Sequence, residues 1–256
     1  MQPFTALPGR RDGGVLLLCD HAGCGLPAGC GSLGLAPDAF ERHIAYDIGA
    51  ADVTRRLAAA LDAPAILAEF SRLLIDPNRG LDDPTLVMRL SDGAVVPGNA
   101  RIDGSEIQRR VAAWWRPYQD AIGAEIDAML AKGPAPALVS VHTFTPVWKG
   151  APRPWAAGVL WDQDPRLAKP LIEALAAEPG LVVGDNEPYD GALRGDTLFR
   201  HGTERGLAHA LIEIRQDLVT DETGQAEWAE LLARLLKPIL ARPRLHEVIH
   251  HGSRAA

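Results

Sequence analysis

The stretch Leu211-Ile-Glu213-Ile-Arg215-Gln-Asp217 sets a carboxylate inside an otherwise apolar run. An unpaired charge there is costly to desolvate, so Glu213 needs either a cation or a chemical task. Two more apolar runs, Val15-Leu-Leu-Leu-Cys-Asp20-His21 and Leu138-Val-Ser-Val-His142, each end in an imidazole. Two neutral nitrogen donors and a nearby acid are the parts of a hydrolytic metal centre, in which a metal activates water and a carboxylate moves its proton.

Catalytic zinc usually has three protein ligands, so His21 and His142 call for a third. Asp47, Cys24 and Asp20 are the candidates. Cys24 follows His21 by three residues but sits in a Gly-Cys-Gly loop. Asp47 lies in the apolar stretch His43-Ile-Ala-Tyr-Asp-Ile48, where an inward-facing acid requires a cationic partner, and it is the preferred third ligand. Arg72, Asn78 and Arg79 bracket Asp76-Pro77. The planar fork of arginine matches a carboxylate through two parallel hydrogen bonds, so this group points to a substrate with a free carboxylate. A structural bridge from these arginines to Asp76 or Asp82 is the alternative. Glu213 would serve as general base, with Ile212 and Ile214 on the opposite face of its strand. Tyr189, in Asn186-Glu-Pro-Tyr-Asp-Gly191, is a loop phenol able to donate to substrate or to a developing oxyanion, and His201 is left open.

Strands and helices must alternate to carry these residues. The pattern predicts strands over 15–21, 64–70, 138–142, 156–161, 180–183 and 207–218, and helices from Pro37 through Leu61, from Ser105 to Leu130, over Pro165–Ala177 and over Glu222–Leu240. Asp47 falls on the first of those helices, and Ser105 with Gln108 offers a capping box for the second. Residues 197–205 are expected to be helical, and residues 80–104 an ordered excursion over one face of the sheet. This alternation predicts a single α/β domain over residues 1–241, with a mixed, mainly parallel central sheet, helices on both faces and sites at the carboxyl ends of strands. Residues 242–256 lack periodicity and are expected to form a flexible tail.

Composition narrows the partners. The 256 residues are 47% hydrophobic and 23% charged, with net charge −7 and basic residues scattered along the chain. No stripe of cations is available to track phosphates, so no nucleic-acid partner is expected. The absence of a long apolar run argues against a membrane partner, and the odd number of cysteines, Cys19, Cys24 and Cys30, argues for a reducing, cytoplasmic setting. A small-molecule substrate remains, with oligomeric state unreadable.

Cys19-Asp-His21-Ala22, Ile44-Ala-Tyr-Asp47-Ile-Gly49, Ser71-Arg72 through Asp76-Pro-Asn78-Arg79, Val139-Ser-Val-His142-Thr-Phe-Thr-Pro146, Asp185-Asn-Glu-Pro-Tyr189 and Ile212-Glu213-Ile-Arg215-Gln-Asp-Leu218 together resemble the N-formylglutamate amidohydrolase family over nearly the whole chain. The resemblance implies a zinc carboxypeptidase-like fold, one zinc ion and a small N-acyl amino acid substrate, with N-formyl-L-glutamate the first expectation. It assigns His142 as a zinc ligand, Asn78-Arg79 as the holder of a substrate carboxylate, and the Glu213-Ile-Arg215 segment to catalysis, with Arg215 joining Arg72 and Tyr189 as substrate contacts. One departure stands out: carboxypeptidases carry a zinc-binding Glu three residues after the first His, where this chain has Cys24, so the acidic ligand must come from elsewhere. Deacylation of another N-acyl amino acid or small amide, and silent binding of a carboxylate, are the alternative functions. Cobalt, manganese or nickel would suit the same ligand types.

Overall fold

Short apolar β-branched runs bounded by Gly, Pro and Asp become strands, and in the computed structural model, which describes residues 1–255, they are β1 (Phe4–Leu7), β2 (Val15–Cys19), β3 (Ala65–Ala68), β4 (Leu90–Ser91), β5 (Ala94–Val95), β6 (Ala137–Phe144), β7 (Val147–Trp148), β8 (Ala151–Pro152), β9 (Ala157–Leu160), β10 (Val183–Asp185) and β11 (His209–Arg215). The helices are α1 (Ala50–Leu61), α2 (Pro97–Ala100), α3 (Gly104–Arg110), α4 (Arg116–Leu130), α5 (Pro165–Ala176) and α6 (Glu222–Leu240). Seven strands form one sheet in the order β1-β3-β2-β6-β11-β9-β10, while β4-β5 and β7-β8 are separate hairpins. The central strands β3, β2, β6 and β11 run parallel. The outer strands β1 and β9 pair antiparallel with β3 and β11. The chain is thus a single α/β domain with a mixed, mainly parallel sheet.

Both faces of this sheet are covered, as parallel strands require. Val15, Leu17 and Cys19 of β2, Val139 and Val141 of β6, and Ile212 and Ile214 of β11 pack against α1, α5 and α6. The alternate residues, Leu16 and Leu18, Leu138 and Leu211, face Tyr118, Ile122 and Ile126 of α4. That second face also carries His142 and Glu213, because they continue the Leu138 and Leu211 registers by even steps.

Several elements depart from the sequence reading. The helix expected from Pro37 to Leu61 is a 3-10 turn over Pro37–Glu41, an irregular segment, and then α1. Gly49 separates the segment from α1 at φ 81°, and a Cβ there would lie 2.3 Å from the Val219 carbonyl oxygen. Its left-handed turn breaks a periodicity that the spacing of Ile44 and Ile48 continues. Asp47 consequently lies on a turn, not on a helix. The cap before α3 is Asp103, whose carboxylate accepts from the Glu106 amide, in place of the expected Ser105 and Gln108 box. A π-helical turn over Val111–Trp115 joins α3 to α4, and residues 199–203 form another. The strand expected at 180–183 starts at Val183, past a turn at Gly180. The closing segment is fastened, contrary to expectation: His246 bonds the Ala135 and Leu240 carbonyls, and Arg254 pairs with Asp162 and Asp190. Ala256 lies outside the described residues. Among the described residues, no helix is long and apolar enough to cross a membrane.

Candidate active site and metal centre

Strand register brings the first two residues together. In the parallel β6-β11 ladder His142 is directly opposite Glu213, and on the other side Glu213 is opposite Gly158 of β9. Gly158 leaves room where a side chain cannot go, since a Cβ would lie 1.8 Å from the Glu187 carbonyl oxygen. His21 follows the neighbouring β2 by two residues. The turn carrying Asp47 is pinned to it, the Asp47 amide donating to the His21 carbonyl at 3.0 Å.

His21, Asp47 and His142 are buried, and their ligand atoms lie within 4.8 Å of one another. The two imidazole rings meet edge to face, with centroids 4.9 Å apart. Nδ1 of His142 is 2.9 Å from Asp47 Oδ2, and Nδ1 of His21 is 3.3 Å from the same oxygen. Each ring's other nitrogen meets a second acid: His21 Nε2 donates to Asp76 at 2.8 Å and His142 Nε2 to Asp20 at 2.9 Å. A carboxylate can only accept, so these contacts put the proton on Nε2 and turn Nδ1 toward Asp47. Such outer carboxylates orient metal-binding imidazoles and raise their basicity. Lone pairs on Nδ1 and on the Asp47 oxygen repel unless a proton or a cation joins them. The donor set of two nitrogens and one carboxylate therefore fits a divalent ion.

The outer acids are themselves held firmly. Asp20 also accepts from Ser140, Tyr118 and Thr197 at 2.8, 3.0 and 2.6 Å. Asp76 accepts from Arg72 at 2.9 Å and from the Asn78 amide at 2.9 Å. Burial raises the cost of charging Asp76, but the Arg72 guanidinium and His21 prevail and hold it well below the usual carboxylate range. Burial likewise opposes a charge on His142, yet the bonds to Asp20 and Asp47 outweigh it and lift the ring to about 10. Asp47, between two imidazoles, is held below the ordinary range in spite of its own burial.

Glu213 is different. It is 6% exposed, and its Oε2 has no hydrogen-bond partner among the described residues. Burial pushes its carboxyl up to about 8; His142, Arg72 and Arg153 oppose this while Asp47 adds to it. The group lines a cavity of about 300 Å³ together with His21, Asp47 and His142.

The remaining residues singled out from the sequence divide into several groups. Arg72, Asn78, Arg79 and Tyr189 line the same cavity. The bridge to Asp76 weighed for these arginines is the one Arg72 makes, and Arg72 also reaches Asp47 at 3.4 Å. Arg79 has a freer fork: Nη1 donates to the Asn78 carbonyl, Nε to Thr85, and the nearest acid, Asp83, is 4.0 Å away. Arg215 is not in the cavity. Its strand ends at this residue, and the guanidinium turns back to Asp217 at 2.7 Å and toward the Arg153 and Trp155 carbonyls at 3.4 Å. Cys24 is exposed and outside the cluster, and Asp20 supports His142 from behind. His201 is buried against Gln119, away from the cavity lining. The reading from sequence missed Asp76 as a partner of His21. Its signal was present, a buried acid four residues after Arg72, but it was read only as an arginine partner.

An acid able to exchange a proton, set beside a cluster able to hold a cation, is equipment for hydrolysis, and the class here is that of hydrolases acting on amide bonds. Residues 13–220 match the N-formylglutamate amidohydrolase family, and the chain belongs to it. Among solved structures it is similar to the gene product Atu2144 from Agrobacterium tumefaciens, with 33% identity, a TM-score of 0.88, and 94% of this chain and 96% of that one covered. It shares its fold with the N-formylglutamate amidohydrolase from Ralstonia eutropha JMP134, at 23% identity and TM-score 0.68, over 95% of this chain and 99% of that one. No curated protein matches the chain.

Proposed function

We propose that this cavity is the active site of a zinc-dependent amidohydrolase that removes a formyl or other small acyl group from an amino acid, with N-formyl-L-glutamate the leading substrate. His21, Asp47 and His142 would hold the ion. When bound, it supplies Lewis-acid activation of the scissile carbonyl and of water. Glu213 accepts the proton of the attacking water at its unpartnered Oε2 and returns it to the leaving nitrogen, so the amide C–N bond breaks to give a carboxylate and a free amine. Burial raises the proton affinity of this carboxyl above that of an ordinary one, which suits a group that takes a proton and hands it on. Arg79 and Asn78 anchor the α-carboxylate, while Arg72 steadies Asp76 and Asp47. Tyr189 borders the other wall. The free cysteines and the small polar substrate fit a cytoplasmic setting.

The observation that carries this reading is the convergence of three metal-competent atoms within 4.8 Å beside an acid with a free oxygen. Elemental analysis of the purified protein, paired with release of free amine from a panel of N-formyl, N-acetyl and formimino amino acids, tests it. One equivalent of zinc and turnover that stops on chelation are expected. A protein that binds carboxylates, carries no stoichiometric metal and cleaves none of the panel would overturn it.

A further inference from the structure

Arg153 is 9% exposed, and no carboxylate lies within 4.0 Å of it among the described residues. Three other deeply placed arginines have one: Arg72 pairs with Asp76, Arg110 with Glu106 and Arg166 with Asp164, while Arg200 lies over the Trp115 ring, away from the cavity lining. A secluded cation normally has a counter-charge, because its desolvation is otherwise uncompensated. Here the guanidinium instead lies among the rings of Tyr189, Trp148 and Phe144, at 5.1, 5.3 and 5.5 Å from their centroids. Such faces hold a cation without neutralising it.

The hydrogen bonds of Arg153 are one-sided. Nη1 alone is used, donating to the Tyr189 hydroxyl at 3.1 Å and to the Thr145 carbonyl and hydroxyl at 3.3 and 3.4 Å. Nε and Nη2 have no protein acceptor among the described residues, and neither is sealed from solvent. These two donors form one fork, the geometry that takes a carboxylate through two parallel bonds. Arg153 is not itself part of the lining of the catalytic cavity, but the four residues that hold it, Phe144, Thr145, Trp148 and Tyr189, all are, so it stands immediately behind that lining. Arg79 reaches that cavity from the loop after β3, whereas Arg153 follows the β7-β8 hairpin, so two forks come from different parts of the chain. Arg89, Arg101 and Arg194, arginines of the long loops, are by contrast exposed.

We propose that Arg153 is a specificity-determining residue that receives a second, side-chain carboxylate, which confines good substrates to N-acyl derivatives of acidic amino acids. This rests on the function proposed above and assigns the residue that selects the amino acid. Tyr189 is its positioning residue, since the phenol takes up Nη1 and leaves the other edge of the fork free.

The test compares kcat/KM for N-formyl-L-glutamate with that for its neutral isostere N-formyl-L-glutamine, in the metal-loaded wild type, Arg153→Gln and Arg153→Lys. The wild type should prefer the acid by about 10- to 100-fold, the scale of hydrogen bonds to charged groups. Arg153→Gln should lose that preference, kcat/KM for the glutamate substrate falling at least about tenfold further than that for the glutamine substrate, and Arg153→Lys should recover part of it. An unchanged preference in Arg153→Gln, or an equal fall for both substrates, overturns the proposal. Calorimetric binding of L-glutamate against L-glutamine decides it independently of catalysis: wild type should favour glutamate and Arg153→Gln should not, and equal binding by wild type sinks the idea. A wild type that favours glutamate yet cleaves no N-acyl amino acid would refute the proposed reaction and leave the assignment of Arg153 standing.

Discussion

The floor of the cavity and its far wall treat charge in opposite ways. On the floor, Asp20 accepts four hydrogen bonds, Asp76 is bound by His21, Arg72 and the Asn78 amide, and Asp47 meets both imidazoles and Arg72. On the wall, Glu213 keeps a bare oxygen, and behind Phe144, Trp148 and Tyr189 of that wall Arg153 keeps a bare pair of donors. The acids of the floor are saturated although Arg72 Nε is not, and such a network fixes geometry, because moving any of these acids leaves a buried polar group unpaired. Unsaturated groups keep their bonding capacity for something that arrives later. Under the proposed function, the contrast gives positioning to the floor and the reacting molecule to the wall.

Removing the bare acid should have the largest effect. Glu213→Gln is expected to lower kcat about 100-fold or more, the scale of a lost general base, with metal content unchanged by elemental analysis. Loss of metal along with activity would mean that the wall is part of the ligand set. Next comes the floor. Asn at position 20 must turn an NH₂ toward two existing donors, either His142 and Ser140 or Tyr118 and Thr197. Asp20→Asn should weaken metal binding by about 10- to 100-fold in a chelator competition, the usual cost of disturbing an outer carboxylate. Affinity equal to wild type would show that Asp20 does not orient His142.

Arg79→Gln should act through substrate affinity. KM for N-formyl amino acids is expected to rise about tenfold or more with metal content unaffected, whereas a change confined to kcat would argue against carboxylate anchoring. Arg215→Gln supplies the contrast, since its guanidinium is spent on Asp217 and two carbonyls outside the cavity. It should leave kcat and KM within about twofold and cost no more than about 1 kcal/mol of stability by urea denaturation, as expected of a half-exposed ion pair.

The smallest effect concerns pH. Burial, with help from Arg205 and Arg200, lowers the His201 ring to about 4 from an ordinary 6.5. Below pH 6.5 the unfolded chain takes up a proton that the folded ring refuses, so this ring's contribution to stability falls as pH drops toward 4. Asp196, raised by burial to about 7, works in the opposite direction over the same window, because its folded form holds a proton that the unfolded form releases. The difference between His201→Gln and wild type therefore isolates the ring. Urea midpoints from pH 7 to 4.5 should converge as pH falls, and parallel curves would remove His201 as the cause.

The residues that gather at the cavity were legible wherever polarity interrupts an apolar run. His21, His142 and Glu213 stand out because strands buried on both faces rarely admit such groups. Asp47 was legible by type but misplaced on a helix, since Ile44 and Ile48 keep helical spacing through a segment that Gly49 ends with a left-handed turn. Arg215 shares its parity with Glu213, so alternation alone pointed both into the cavity. The end of β11 at that residue released the side chain to the nearest acceptors.

Hydrophobic periodicity and composition, being local properties of the chain, determined an alternating α/β domain with a mainly parallel sheet, helices on either side, and histidines at strand ends. What pairs with what was decided by the tertiary structure, because the partners are remote along the chain: Asp20 and His142 are 122 residues apart, and Asp76 and His21 are 55. That Arg153 is secluded without a counter-charge was decided there too, since a missing partner becomes visible only once every neighbour is in place.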